Sequence, residues 1–411
     1  MTTQPPQYPA SLRLGLFFDG TGNNAANAAL DEVEPIERSG SHSTATTNVV
    51  KLSQLYAGPP GMVKAIYLEG IGTCAGQADS FSGSALGRGS TGVVARVEQA
   101  LAAVREAMST VGAGRPITID LFGFSRGATA ARHCANQLLR IPGVRVGFIG
   151  LFDTVAAIGG LANLGRVHSA VAPGVNLHLD PARFADVVHL VARDEQRKNF
   201  ALAQVCSGHV EIELPGAHSD LGGGYFTQAR EQLFIGPMQT LTVALGTKVE
   251  ATSIYRDALR LRDKWLAQGW PPQCLSIITP PPTRLAGRDQ PPQQQVYAAL
   301  QLQRDVRGEL SRVYLRVMHG LALARGVPLL PVPETEGYTV PHVLQPLCQR
   351  FLAGDYRTSP EEERVLRLAY IHVSAHWNPP QGLQGNAPRM GAKALYINAP
   401  AANGERLRYR Y

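Results

Sequence analysis

The stretch IDLFGFSRGATAARH, Ile119 to His133, decides how this chain is read. It starts as an apolar run, passes through Gly123-Phe124-Ser125-Arg126-Gly127, and continues into an alanine-rich segment of helical composition. Gly-x-Ser-x-Gly between a strand and a helix is the sequence form of a sharp turn that exposes a serine hydroxyl above a sheet edge. The same residues also suit a plain helix N-cap, with Ser125 bonding the first turn. The choice depends on whether the rest of the chain supplies a base, an acid and donors for an oxyanion.

Around this stretch, strand and helix signals alternate. LRLGLFF (Leu12 to Phe18), VKAIYLEG (Val63 to Gly70), ITIDLFGF, VRVGFIGLFD and HVEIELPG are short, apolar and bounded by turns. Residues 92 to 108 place Val94, Val97, Leu101 and Val104 at helical spacing. ATAARHCANQLLR is a second helix, and FADVVHLVARDEQ reads as a third, opened by Asp180-Pro181. Near-continuous apolar strands alternating with helices predict an α/β fold with a mostly parallel sheet flanked by helices on both faces. After Gly222-Gly223-Gly224 the pattern changes. Residues 228 to 268 and 294 to 325 read as mostly helical, joined by the Pro/Gln-rich connector TPPPTRLAGRDQPPQQQ. The expected organisation is a catalytic core over 10–226, a helical cap or appended helical region over 227–360, and a C-terminal segment, 361–411, packing back on the core.

Bulk properties narrow the function. The 411 residues, 44% hydrophobic and 17% charged, describe a soluble globular chain with an ample core. A formal charge of +7 fits attraction to anionic membranes, and with no Lys/Arg block no nucleic-acid partner is expected. Five scattered cysteines (Cys74, Cys134, Cys206, Cys274 and Cys348) without a Cys-x-x-Cys pair argue against a disulfide scaffold or thiolate zinc site and suggest folding in a reducing compartment. The N-terminus lacks a basic region followed by an apolar core, so cytoplasmic synthesis without a signal peptide is expected. No run approaches the roughly 20 apolar residues of a spanning helix.

Three polar residues fall at strand ends, where ligands sit in an open parallel sheet. Ser125 follows ITIDLFGF, Asp153 follows VGFIGLF, and His218 follows VEIELPGA. Their chain order is that of the Ser, Asp and His of α/β-hydrolase triads. A neutral hydroxyl becomes nucleophilic when an imidazole takes its proton, and a carboxylate fixes and stabilises that imidazole. The backbone of Arg126 would supply one oxyanion donor. LFFDGTGNN, Leu16 to Asn24, would supply a second from Gly20 or Thr21, since its glycines let N–H groups converge. Asp19 either holds that loop or shares a cation with Asp220. His372 and His376 compete for the base and Asp180 and Asp220 for the acid, while His133 and His189 read as structural. The histidines show no metal-like spacing, so neither a metal nor another cofactor is expected to be required.

Five segments in order, LFFDGTGNN, GFSRGATAAR, GLFDTVAAIG, HLVARDEQRKNF and PGAHSDLGGGY, resemble the first family of type VI secretion lipase effectors, an α/β-hydrolase group. The resemblance spans about residues 12 to 226. It implies a serine phospholipase or esterase with Ser125 as nucleophile, Asp153 in FDTV as acid and His218 in GAHSD as base. It also implies a membrane phospholipid substrate, delivery into a target cell's periplasm by a type VI spike or tube protein, and a cognate immunity protein in the producer. The chain is short for a family whose effectors often carry a large membrane-docking region. Two further readings therefore stay open: an esterase or thioesterase for a small soluble acyl ester, and a noncatalytic hydrolase-fold binding module. VAAIGGLANLG, Val155 to Gly165, is a candidate acyl channel or lid, or an ordinary buried helix.

Overall fold

The computed structural model describes residues 12–21, 45–71, 92–111, 115–156, 174–285, 291–378 and 398–411. Its centre is a six-stranded, all-parallel sheet in the order β2-β1-β3-β4-β5-β7. The strands are β1 (Leu12–Phe18), β2 (Val63–Leu68), β3 (Ile117–Phe124), β4 (Val144–Phe152), β5 (Val187–Ala192) and β7 (Val210–Leu214). All eight residues of β3 are buried, as a strand covered on both faces requires. One face packs on α2 (Val93–Val111) and α3 (Arg126–Leu138), through Val97, Val104, Ala131 and Leu138. The other packs on α1 (Asn48–Leu55), α6 (Leu310–Leu323) and α7 (Gln345–Leu352), through Leu52, Tyr314, Met318 and Phe351.

Register sets the functional edge. Phe18 pairs with Gly123, Phe124 with Phe152, and Phe152 with Leu190. Residues 19, 125 and 153 therefore leave the sheet side by side at its C-terminal edge. The chain runs outward from β1 to β2, then returns to build the sheet from β3 in the opposite direction. The loops after β1 and β3 thus flank the topological switch point, where open α/β sheets form their ligand crevice.

Two helical readings are corrected. FADVVHLVARDEQ contains β5, because Val187, Val188, His189, Leu190, Val191 and Ala192 are all buried between β4 and β7. A short apolar run fits a strand or a buried helix equally well by periodicity, and sheet pairing decides it. Within residues 228–268 and 294–325, α-helix is confined to α5 (Ser253–Ala267) and α6, and most of the rest builds a second sheet. The long strand β12 (Gln293–Val306) lies at its centre, paired antiparallel with β8 (Ala229–Phe234) and β9 (Gln239–Ala244) along one edge. On the other edge it pairs with β10 (Leu275–Ile278) and β11 (Thr283–Leu285). The Gln, Ala and Leu residues of QQQVYAALQLQRDV favour a helix locally, but pairing on both edges overrides that preference.

The C-terminal region returns to the catalytic edge. α8 (Pro360–Ala369) leads into residues 371–378, which form neither helix nor strand. Further on, β13 (Arg408–Arg410) pairs in parallel with the short β6 (Leu202–Gln204). Among the described residues no helix is long and apolar enough to cross a membrane. Most of the candidate channel VAAIGGLANLG (from Ala157 onward) lies outside the described residues.

Candidate active site

Ser125 sits on the turn between β3 and α3 with φ 59° and ψ −126°, and its side chain makes no capping bond to the helix. The N-cap reading therefore gives way to an elbow. Two close approaches make the elbow possible. A Cβ on Gly123 would come within 2.6–2.7 Å of the Ala128 backbone, and one on Gly127 would run into the carbonyl oxygens of Phe18 and Asp19. Glycine at both positions lets α3 pack directly on the sheet edge and on the loop after β1. Among the described residues, two non-glycine residues have positive φ: Ser125, and Asp153 at 43°. Strain of this kind costs about 1–3 kcal/mol per residue and persists where the surrounding structure enforces it. Here the Ser125 N–H donates to the Phe152 carbonyl, and the Asp153 N–H to that of Leu190.

His218 begins the short helix α4 (His218–Gly222) after β7. Its Nδ1 lies 2.5 Å from Asp153 Oδ2, and both side chains are buried. An ionised carboxylate only accepts, so Nδ1 carries the proton and Nε2 is the basic nitrogen. The imidazole lies between Phe124, at 4.6 Å, and Phe200, at 5.0 Å. Phe124 immediately precedes Ser125, so this contact sets the imidazole beside the elbow. Burial lowers the His218 pKa below its ordinary value and Arg197 pulls the same way, against the opposing effect of Asp153. The imidazole is thus neutral at neutral pH, the form a general base needs.

Both oxygens of Asp153 are fully engaged. Oδ1 accepts from the Ala192 N–H at 2.9 Å and from Arg406 Nη1 at 2.7 Å, while Oδ2 accepts from Arg406 Nη2 at 2.9 Å besides His218. Burial alone would raise its pKa, but Arg406 and His218 hold it well below the usual carboxylate range. Beside it, Glu195 Oε2 accepts from the His218 N–H at 3.3 Å. Glu195 also bonds the Arg197 guanidinium and Ser374 Oγ. Burial opposes its ionisation, yet Arg197 above all brings it down to about 2.

The competitors occupy other places. Asp180 accepts from the Ala182 N–H in a loop. His376 is held by Asn378 and Asn398, and burial together with Arg197 lowers its pKa to about 4. Asp220 closes the N-terminus of α4 through the Ala217 N–H and accepts from both the Nδ1 and the backbone N–H of His372. Asp19 accepts from Gly20 N–H, Thr47 Oγ1 and Tyr67 OH at 2.7–2.8 Å, so the Gly20 N–H is directed at the loop's own carboxylate. Among the described residues, no three or more His, Cys, Asp or Glu side chains gather where they could hold a metal ion. His133 lies on α3, bonded to Asn176 and Gln137. His189 lies on β5, between Thr154 and Glu211.

Sequence reasoning missed Arg406, Glu195 and Arg197. Glu195 and Arg197 lie within HLVARDEQRKNF, a segment singled out without a role. Arg406 had no signal at all: it is one arginine in a polar C-terminal stretch, and only the fold brings it to Asp153.

A parallel sheet with a strained serine elbow and a buried His–Asp pair beyond the C-terminal ends of its strands defines the α/β-hydrolase fold. The chain belongs to the family described as the T6SS phospholipase effector Tle1-like catalytic domain, which matches residues 13–143 and 139–244, over half its length. Among solved structures, it is similar to the Tle1 effector bound to the VgrG spike from the type 6 secretion system. That likeness has 27% identity and a TM-score of 0.76, and covers 99% of this chain and 95% of that one. An uncharacterized protein from Pseudomonas aeruginosa matches with 18% identity and a TM-score of 0.41, over 87% of this chain and 52% of that one. No curated protein matches.

Proposed function

We propose that this protein is a serine hydrolase that cleaves carboxylic esters of membrane phospholipids as a type VI secretion effector. The observation that carries the chemistry is the strained Ser125 elbow beside the buried His218–Asp153 pair. In this reading Ser125 Oγ attacks the ester carbonyl while His218 Nε2 takes the hydroxyl proton. The tetrahedral oxyanion is met by the backbone N–H of Arg126 and, from the facing loop, that of Thr21. Collapse breaks the acyl C–O bond, and His218 returns the proton to the leaving lysophospholipid oxygen. Water, deprotonated by the same nitrogen, then releases the fatty acid and regenerates Ser125.

Phospholipid as substrate is supported by the family's description, and a VgrG-type spike as delivery partner by the Tle1–VgrG structure, which this chain matches almost end to end. Periplasmic action and a cognate immunity protein follow from the same reading. The test is mass-resolved product analysis on mixed phosphatidylethanolamine and phosphatidylglycerol vesicles. Free fatty acid and lysophospholipid, absent with Ser125→Ala, are expected, and the position of the retained chain separates A1 from A2 cleavage. No acyl release from any vesicle, with hydrolysis of short soluble esters intact, overturns phospholipid as the substrate.

A further inference from the structure

In a minimal triad the carboxylate faces the imidazole and stabilises its protonated form. Here Asp153 has a second, stronger cationic partner. Arg406 places two N–H groups on its two oxygens and donates Nε–H to the Phe200 carbonyl, with 2% of its side chain exposed and none of that of Asp153. A planar fork of this kind fixes the carboxylate plane as well as its charge. Oδ2 is thereby aimed at His218, and Oδ1 is filled by Arg406 and the Ala192 N–H.

The charges around the imidazole balance only when Arg406 is counted. Facing Asp153 and His218 are Glu195 and Arg197 from the loop after β5, His189 from β5 with Glu211 and Arg132 around it, Arg406 from the C-terminal segment, and at longer range Arg408, which is paired with Glu213. With both imidazoles neutral, four carboxylates (Asp153, Glu195, Glu211 and Glu213) stand against four guanidiniums (Arg132, Arg197, Arg406 and Arg408). Without Arg406 the cluster carries one net negative charge in a water-poor site, where an imidazolium would compensate it. His218 would then be protonated before Ser125 could use it.

We propose that Arg406 is a positioning residue of the reaction, brought in by the C-terminal segment to clamp Asp153 and cancel its charge, so that His218 stays neutral and able to accept the Ser125 proton. The proposal rests on the serine-hydrolase reading above. The arginine arrives beside β13, whose pairing with β6 also brings Arg408 to Glu213 on the exposed side of the strand. Arg408 therefore tests docking of the segment: its bonds go to Glu213, whose charge it offsets, and its effect on Asp153 is at longer range.

The experiment compares kcat/KM across pH on a short fluorogenic ester for the wild type and for Arg406→Gln, Arg406→Lys and Arg408→Gln, each checked by thermal melting. Loss of the positive charge is expected to move the acid limb of Arg406→Gln up by about one pH unit. Activity then falls several-fold at pH 6, approaches a loss of about tenfold only further down the acid limb, and changes much less at pH 8. Arg406→Lys returns the limb toward the wild type, and Arg408→Gln leaves it in place. Equal losses at every pH in both Arg406 variants, or an unmoved limb, overturn the proposal. If Arg406→Gln does not fold, the wild type and Arg406→Lys decide: both limbs lie below the ordinary histidine value of 6.5, and a limb above it contradicts the charge balance. If Ser125→Ala hydrolyses this ester as fast as the wild type, the serine reading fails. If activity depends on Ser125 but the Arg406 profiles do not move, only this inference fails.

Discussion

At the residue scale, the proposed chemistry depends on a few side chains that the sheet edge holds in strained or buried states. Ser125→Ala and His218→Ala should each lower turnover by about three to six orders of magnitude, since such groups act as a unit. His376→Ala should keep most of the activity, because His376 is bound to Asn378 and Asn398. Ester hydrolysis by purified variants checks both, and the reverse pattern would move the base to His376. Asp19 gives a separate pH signature. Burial raises its carboxyl to about 6 from a reference of 3.8, against the bonds from Tyr67, Thr47 and Gly20. The folded state then holds its proton more tightly than the unfolded state, so stability from this group is present below pH 4 and is lost as pH rises through 6. Relative to Asp19→Asn, the wild type should lose about 2–3 kcal/mol of unfolding free energy across that window, read by denaturant melts. Ser125, Asp153 and His218 stand out in the sequence as candidates because each follows an apolar run and the three take the chain order of known triads. Arg406 does not, since its role depends on a contact between residues far apart in sequence.

At the element scale, the elbow and the loop after β1 work as one piece. Gly127→Ala would press a methyl group into the Phe18 and Asp19 carbonyls, which belong to backbone and cannot swing aside. A loss of about 1–3 kcal/mol in stability is expected, with a slower reaction of Ser125 because the loop after β1, proposed to help hold the oxyanion, is displaced. Thermal melts and the rate of covalent labelling check the two effects separately. The same scale shows where sequence patterns fail. β1, β3 and β4 read correctly because a strand buried on both faces is continuously apolar. β5 has the same pattern, yet its preceding Asp180-Pro181 suggested a helix start. β12 hides a strand in residues of helical preference, and its identity comes from the four strands that pair with it.

At the scale of the whole molecule, the second sheet supports the catalytic edge. Arg304 on β12 bonds Glu231 on β8 at 2.7 Å and the carbonyls of Arg367, Leu368 and Ile371. Glu231 in turn accepts from the Val373 N–H. These bonds fix residues 371–374, from which His372 reaches Asp220 on α4 and Ser374 reaches Glu195 beneath His218. Arg304→Met should therefore cost about 3–5 kcal/mol by leaving Glu231 buried and unpaired. It should also reduce kcat more than it changes KM, because α4 and its histidine lose their support. Denaturant unfolding and steady-state kinetics on one ester check this. A stability loss with unchanged kcat would show that the second sheet is structurally separate from the site.

Activation of Ser125 as a nucleophile is read by labelling the protein with a fluorophosphonate and mapping the adduct by peptide mass spectrometry. One phosphonyl group is expected on Ser125 in the wild type, with a rate reduced by orders of magnitude in His218→Ala. A wild-type protein that stays unlabelled, or carries the adduct on another residue, would contradict that activation.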